Sequence, residues 1–290
     1  RRGPRPSPRW LRLTLGDRPA AVAAAEASHR GQTVPPDQID VLGNGADPGP
    51  LPGAEVVTLP ENLGVAGGRN AGAAAATGEV LVFLDDDATC ASPAVAAVVL
   101  DFLADRPDVA VVSMRITDPV SGETQRRHVP RLRAGDPGRG GDVTTFLGGA
   151  CAVRAADFAA VGGYPAEFHY AMEETDLAWR LLDRGRSIHY LATAEVHHPA
   201  TEPARHGHAF VSTARNRVWL AHRRLPRTLV PLYLSVWGFL MMARAPSPQA
   251  RRDIVRGLRC GVRQRTPRPI DRMSWRTVAR MTRLGRPPII

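Results

Sequence analysis

The stretch Val80-Leu81-Val82-Phe83-Leu84-Asp85-Asp86-Asp87 decides the fold. Five consecutive apolar residues read as a strand covered on both faces, because a strand with one wet face would alternate. Upstream, an Ala-rich helical segment stops near Gly78. Downstream, Ser92-Pro93 is an N-cap and N1 pair for a helix running to about Ala104, and Val109 to Ile116 is a further strand. Further upstream, Trp10 to Leu15, Ile39 to Leu42 (closing on Gly43-Asn44-Gly45) and Val56 to Leu59 read as short strands, with a helix over Ala20 to Ser28. Strands alternating with helices predict an α/β fold with a doubly wound, mainly parallel sheet. In such sheets ligands bind outside the carboxyl ends of the strands, where Asp85, Asp86 and Asp87 stand. Three adjacent carboxylates repel one another unless a cation sits among them, and a hard divalent ion such as Mg²⁺ or Mn²⁺ prefers oxygen ligands. A solvated acidic turn is the plainer alternative.

Beyond residue 116, positions 117–142 are polar and rich in Gly, Pro and Arg, and read as a long loop. Thr144 to Val153 reads as a strand interrupted at Gly148-Gly149, and Ala155 to Val161 as a helix closed by Gly162-Gly163. Glu173 to Asp183 is a helix with Gly185 past its end, Ser187 to Leu191 is a strand leading to His197-His198-Pro199, and a helical tail follows from about Thr201. Glu173, Glu174 and Asp176 share one turn. They either complement the helix dipole or supply a general base. His197 and His198 are candidate metal ligands or structural histidines. The Gly-rich run Gly64 to Gly72 can bring backbone N–H groups to a phosphate, with Arg69 as counter-charge. It lacks both the GxGxxG spacing and the P-loop Gly-Lys-Ser/Thr, so neither a dinucleotide-binding nor a P-loop protein is indicated.

The 290 residues are 43% hydrophobic, enough to bury a core, and all 38 basic residues are Arg. The chain opens on Arg1 rather than Met, as a processed or truncated start would. Its front shows no apolar run after a basic segment, so no secretory signal is expected. Residues 1–9, rich in Arg and Pro, are expected to be disordered or extended. Cys90, Cys151 and Cys260 lie far apart, as suits a reducing compartment. Charge is uneven: residues 199–290 hold 19 Arg against three acids, a net +16, while residues 1–198 are at −6. Within the basic tail, Thr228 to Ala243 is uncharged. Its 16 residues fall short of the roughly 20 that a membrane span needs. With Arg223, Arg224, Arg227, Arg244, Arg251 and Arg252 on its flanks, it is expected to lie in a membrane interface or to pack as a buried helix. No nucleic-acid reader motif or aromatic interleaving accompanies the arginines, so no nucleic-acid partner is expected.

Several ordered motifs carry a resemblance. Glu61-Asn62-Leu63-Gly64 through Gly68-Arg69-Asn70-Ala71-Gly72, Val82 to Ala88, Gly148 to Arg154, Val161-Gly162-Gly163-Tyr164 through Phe168, and Glu173 to Arg180 together resemble the inverting family 2 glycosyltransferases of GT-A fold. The likeness covers about residues 10–200, and looks closest to the rhamnosyl- and galactofuranosyl-transferase-like branch that builds bacterial envelope polysaccharides. The resemblance implies a GT-A domain over 10–200, and the charge and apolar pattern of the remainder predicts a basic, helical, membrane-associating region over 201–290. It implies a nucleoside-diphosphate-sugar donor, a lipid-linked or glycan acceptor, a Mn²⁺ or Mg²⁺ cofactor, and a cytoplasmic location at the inner face of the plasma membrane, held there by an anionic membrane surface. Residue by residue, it implies that Thr14 and Asn44 line the base pocket, and that Arg69 with Asn70 faces base or phosphates. Asp85 and Asp86 hold ribose and sugar. Asp87, with Asp85 and His198, ligates the metal. Glu174 is the base with Glu173 as its rival, Asp176 orients donor or acceptor, and Gly148, Gly149 and Trp179 shape the acceptor side. Gly43 stands where the family usually has Asp, and Glu174 replaces an Asp of the family's Glu-Asp-x-Asp-Leu motif. A related nucleotidyltransferase and a non-catalytic sugar-nucleotide or membrane-binding protein are the alternatives. The intact Asp triplet argues against the second, and the acidic turn over 173–176 with its Gly-Gly-Tyr lead-in against the first.

Overall fold

A computed structural model describes residues 5–36, 38–131, 136–199, 208–264 and 270–290. Its strands are β1 (Pro8–Thr14), β2 (Gln38–Asn44), β3 (Glu55–Leu59), β4 (Val80–Asp85), β5 (Thr89–Cys90), β6 (Val109–Thr117), β7 (Gly141–Asp142), β8 (Ala150–Arg154) and β9 (Ser187–His197). Its helices are α1 (Pro19–Arg30), α2 (Gly64–Ala75), α3 (Val95–Asp105), α4 (Ala155–Ala160), α5 (Glu173–Asp183), α6 (Ala209–Arg224), α7 (Leu229–Ala243), α8 (Pro248–Arg263) and α9 (Trp275–Arg283).

One sheet runs in the order β3-β2-β1-β4-β8-β6-β9-β5, with β7 against β9. The pairs β3–β2, β2–β1, β1–β4 and β6–β9 are parallel, whereas β8 is wedged antiparallel between β4 and β6. The apolar run of β4 explains its central place. Val80, Val82 and Leu84 face one core layer under α3, while Leu81 and Phe83 face a second layer shared with α2, α5 and α6. Both faces are dry, as the unbroken run predicts.

Several boundaries move. Strand β1 starts at Pro8, and Arg9 makes a two-bond fork to buried Asp40 (2.5 and 3.0 Å), so residues 8–9 belong to the sheet rather than to a disordered arm; residues 1–4 lie outside the described set. Helix α3 begins at Val95, because Ser92 Oγ accepts from Ala94 N in a separate turn (3.3 Å). The strand expected from Thr144 starts only at Ala150; before it, Leu147 N is taken by Ser113 Oγ (3.2 Å). The Gly-rich run is itself the first part of α2. A Cβ on Gly68 would collide with Leu13, and one on Gly72 would come within 2.8 Å of Leu42, so these glycines let α2 lie close on the sheet. The first N–H groups of α2 are also spent inside the protein, since Gly64 N donates to Asn62 Oδ1 (2.8 Å) and Val65 N to His169 O (2.7 Å). The described part of the tail is helical, while its expected start at Thr201 lies outside the described residues. No helix among the described residues is long and apolar enough to cross a membrane.

Candidate active site

Leu13 on β1 pairs with Asp85 on β4, so Thr14 and the Asp triplet emerge side by side at the carboxyl edge of the sheet. Thr14 Oγ1 donates to Asp86 Oδ2 (2.9 Å). Arg18, in the turn before α1, donates to both Asp86 and Asp87. On the opposite side, His198 at the end of β9 brings Nε2 to 3.1 Å from Asp87 Oδ1 and 3.6 Å from Asp85 Oδ2. Burial disfavours the imidazolium, but these two acids outweigh it and push His198 up to about 10. Arg69 on α2 reaches Asp85 (3.1 Å) and Glu174 (3.5 Å). Burial would raise the Asp85 carboxyl, yet His198 and Arg69 hold it well below the usual carboxylate range. Beneath the triplet, fully buried Arg12 donates to the carbonyls of Asp85 (3.0 Å) and Ala88 (3.4 Å) and pairs with buried Glu26 (3.4 Å).

The repulsion that the sequence assigned to a metal is therefore offset here by Arg12, Arg18, Arg69 and His198. Sequence reasoning did not single out Arg12 or Arg18. A charged residue in the middle of the apolar strand Trp10–Leu15 was the available signal for Arg12. The donor set still suits a hard cation: Asp85, Asp87 and His198 converge, with His198 Nε2 the near neighbour of Asp87 Oδ1. No three His, Cys, Asp or Glu side chains of the described residues stand in closed ligand geometry. Arg18 covers the Asp86–Asp87 face.

The glycine pair is part of this site. A Cβ on Gly148 would overlap the Arg69 guanidinium and the Glu174 carboxylate, and one on Gly149 would overlap Asp85. Glu174 is partly open. Glu173 is buried with Oε2 unpartnered, and burial together with the charge of Glu174 raises its carboxyl well above the usual range.

Other expected site residues are held elsewhere. Asp176 is fully buried, with Oδ1 taken by Arg224 Nε (2.7 Å) and Oδ2 by Arg180 Nε (2.8 Å), so neither oxygen is left to orient a donor or acceptor. Trp179 is buried edge-to-face against Tyr233 on α7 (6.2 Å). Asn44 ties down the start of α2, accepting from Leu63 N (2.9 Å) and donating to Asn62 Oδ1 (2.9 Å). Asn70 clips the Gly163-Tyr164 turn, donating to Tyr164 O (2.9 Å) and accepting from Tyr164 N (2.8 Å). These amides shape the site's walls, and their hydrogen bonds go to protein.

The segment before α5 is unusual: His169, Ala171 and Met172 all take left-handed φ (60°, 69° and 70°). Side chains rarely adopt that region, so the surroundings must hold it. Asn216 on α6 does so. Its buried Nδ2 lies 2.8–2.9 Å from the carbonyl oxygens of Phe168, Tyr170 and Ala171. The basic tail thereby fixes the approach to Glu173 and Glu174, which nothing in the sequence signalled.

The fold, with donors gathered at the strand ends, is that of the GT-A glycosyltransferases. Residues 46–162 match the sequence model of the family described as Glycosyl transferase family 2, which supports a family 2 glycosyltransferase. Over 176 residues the chain is 30% identical to the pre-mycofactocin glycosyltransferase of Mycobacterium tuberculosis (strains CDC 1551 / Oshkosh and ATCC 25618 / H37Rv), a match covering 58% of this chain and 36% of the relative. The chain thus spans about a third of the length of the curated relatives it matches. Among solved structures it resembles GalNAc-T7 with UDP, GalNAc and Mn²⁺ (TM-score 0.64, 12% identity, 90% of this chain and 56% of that one). It also resembles the mannosyltransferase PcManGT of Pyrobaculum calidifontis in complex with GDP-Man and Mn²⁺ (TM-score 0.58, 18% identity, 97% and 80%). At these identities the structural likeness speaks to the fold.

Proposed function

We propose that the chain is an inverting glycosyltransferase that moves a sugar from a nucleoside-diphosphate donor to a hydroxyl of a lipid-linked or polysaccharide acceptor. Its place is in envelope glycan synthesis at the inner face of the plasma membrane. The observation that carries the transfer reading is the meeting of Asp85, Asp87, His198, Arg69 and Glu174 around the Gly148-Gly149 backbone at the carboxyl edge of the sheet.

Asp85, Asp87 and His198 would hold Mn²⁺ or Mg²⁺, which when bound supplies positive charge to the departing diphosphate. Arg69 adds a fixed charge on the same side, and burial strengthens its effect. Glu174 accepts the acceptor's hydroxyl proton as that oxygen bonds to the anomeric carbon. The bond from that carbon to the diphosphate oxygen breaks, and its electron pair leaves with the nucleotide. A single displacement inverts the centre. Gly148 leaves open the space in which Arg69 and Glu174 approach. The substitution Gly148→Ala is therefore expected to lower kcat/KM about 10²-fold, the scale of a small misplacement of reacting groups, with the fold retained by circular dichroism.

The reading is tested by thermal stability against UDP, dTDP, GDP and their sugars, with and without Mn²⁺ or Mg²⁺. A metal-dependent rise in Tm with one nucleotide series is expected, lost in Asp87→Ala. No rise with any of them would overturn it.

A further inference from the structure

Helix α7 is uncharged along all of its 15 residues, yet only Val230 and Tyr233 are buried. Its inner edge is fastened by Arg217, which donates to Tyr233 Oη (2.9 Å) and stacks on Trp237 (3.4 Å to the ring centroid). Its outer edge carries Leu232 and Phe239, 45% and 72% exposed, at a spacing that aligns them on one face. Beside it runs α8. Gly257 and Gly261 let α8 close on α6, where a Cβ at the first would meet Val211 O and at the second Val218. That contact fixes which side of α8 faces out: Arg252, Arg256, Arg259 and Arg263, all exposed, spaced to form one stripe. Among the described residues none of the four has an ion-pair partner. Between the helices lies a groove of about 470 Å³, whose lining includes these arginines with Met242 and Val255.

An apolar helix face beside an unneutralised arginine stripe fits one kind of surface. We infer that the α7–α8 face docks on an anionic lipid bilayer. Leu232 and Phe239 enter the acyl boundary, and the groove arginines take headgroup phosphates. At about 1.5 Å per residue α7 reaches only about 22 Å, short of the roughly 30 Å hydrocarbon core, so it lies in the interface rather than crossing. A second copy of the chain fits worse. A symmetric contact covering the whole face would set one arginine stripe beside the other. Nucleic acid would leave the apolar edge of α7 without a role.

This deepens the reading of an acceptor presented at a membrane, but its test uses no sugar nucleotide, so its failure leaves the donor site standing. The full chain is sedimented with phosphatidylcholine vesicles and with mixed phosphatidylglycerol–phosphatidylcholine vesicles. Binding is expected only to the mixed vesicles, weakening as salt rises. Arg252→Glu/Arg256→Glu/Arg259→Glu together are expected to weaken it about a hundredfold or more, at about 1 kcal/mol per basic residue near the surface. Phe239→Ser weakens it at every salt concentration. All of these residues are exposed, and an unchanged Tm checks the fold. Equal binding to neutral vesicles, binding untouched by the charge reversal, or no binding would overturn the proposal. So would a concentration-dependent dimer abolished by Phe239→Ser, or an oligonucleotide binding where vesicles do not.

Discussion

Replacing Glu174 by Gln is expected to lower turnover by about 10²–10⁴-fold while leaving the nucleotide-dependent rise in Tm in place. The change removes a proton acceptor and keeps the shape, so the loss belongs to chemistry rather than packing. Glu174 stands at the open end of the Arg69 network, where an acceptor hydroxyl can reach it, and Arg69 Nη1 lies 3.5 Å from it. Glu173 is the neighbour that must be told apart from it. Burial and the adjacent charge raise its carboxyl well above the usual range, and its Oε2 is buried away from an incoming hydroxyl. Glu173→Gln is therefore expected to retain most of the activity. Steady-state kinetics on the two variants, with donor binding followed by thermal shift, separates them. A dead Glu173→Gln beside a normal Glu174→Gln would move the base by one residue.

The second large effect falls on stability. Asp176 joins α5 to α6 by accepting from both Arg180 and Arg224, and Arg180 also reaches Gly163 O (2.6 Å) while Arg224 reaches Asp271 (3.1 Å). Asp176→Asn leaves two buried guanidinium groups short of their shared anion, which costs about 3–5 kcal/mol. At roughly 2–4 °C per kcal/mol for a domain of this size, Tm should fall by roughly 6–20 °C. The pH dependence gives a second check. Burial would raise the Asp176 carboxyl, but Arg180 and Arg224 hold it below its ordinary value. A carboxyl depressed in the folded state stabilises above its unfolded pKa, near 3.9, and that contribution is lost as pH falls through the lower folded value. The gap in Tm between wild type and Asp176→Asn should thus be full at neutral pH and close as pH drops below about 4. A gap independent of pH would remove the ion pair as its cause.

The sequence was most legible where one short segment contained its own evidence. The Val80–Leu84 strand, the acids at its end and the bounds of α5 all follow from apolar runs and terminal residues. The antiparallel insertion of β8 between β4 and β6 is a choice of non-local partners, and no local pattern encodes it. The glycines from 64 to 72 misled because a chain needs Gly both where backbone meets phosphate and where a helix presses on a sheet; only Leu13 and Leu42, far off in sequence, decide between them. Asp176 misled similarly. Its spacing in the acidic turn matches a reactive group, but Arg224 arrives from 48 residues away and claims it. Arg18 escaped notice because an Arg in a turn is ordinary until its two carboxylates are seen.

Asn216 has a consequence for the order in which the protein becomes competent. Every described strand of the sheet is outside the ribosome once His197 has emerged from it, so the frame of the site can assemble early. The left-handed turn before Glu173 waits for Asn216, and the Asp176 pairs wait for Arg224. At about 5–20 residues per second, a nascent chain spends a few seconds with its sheet complete and its acidic helix unpinned. Manufacture and arming are thus separate events, and α6, made after the last of these strands, sets the moment of arming.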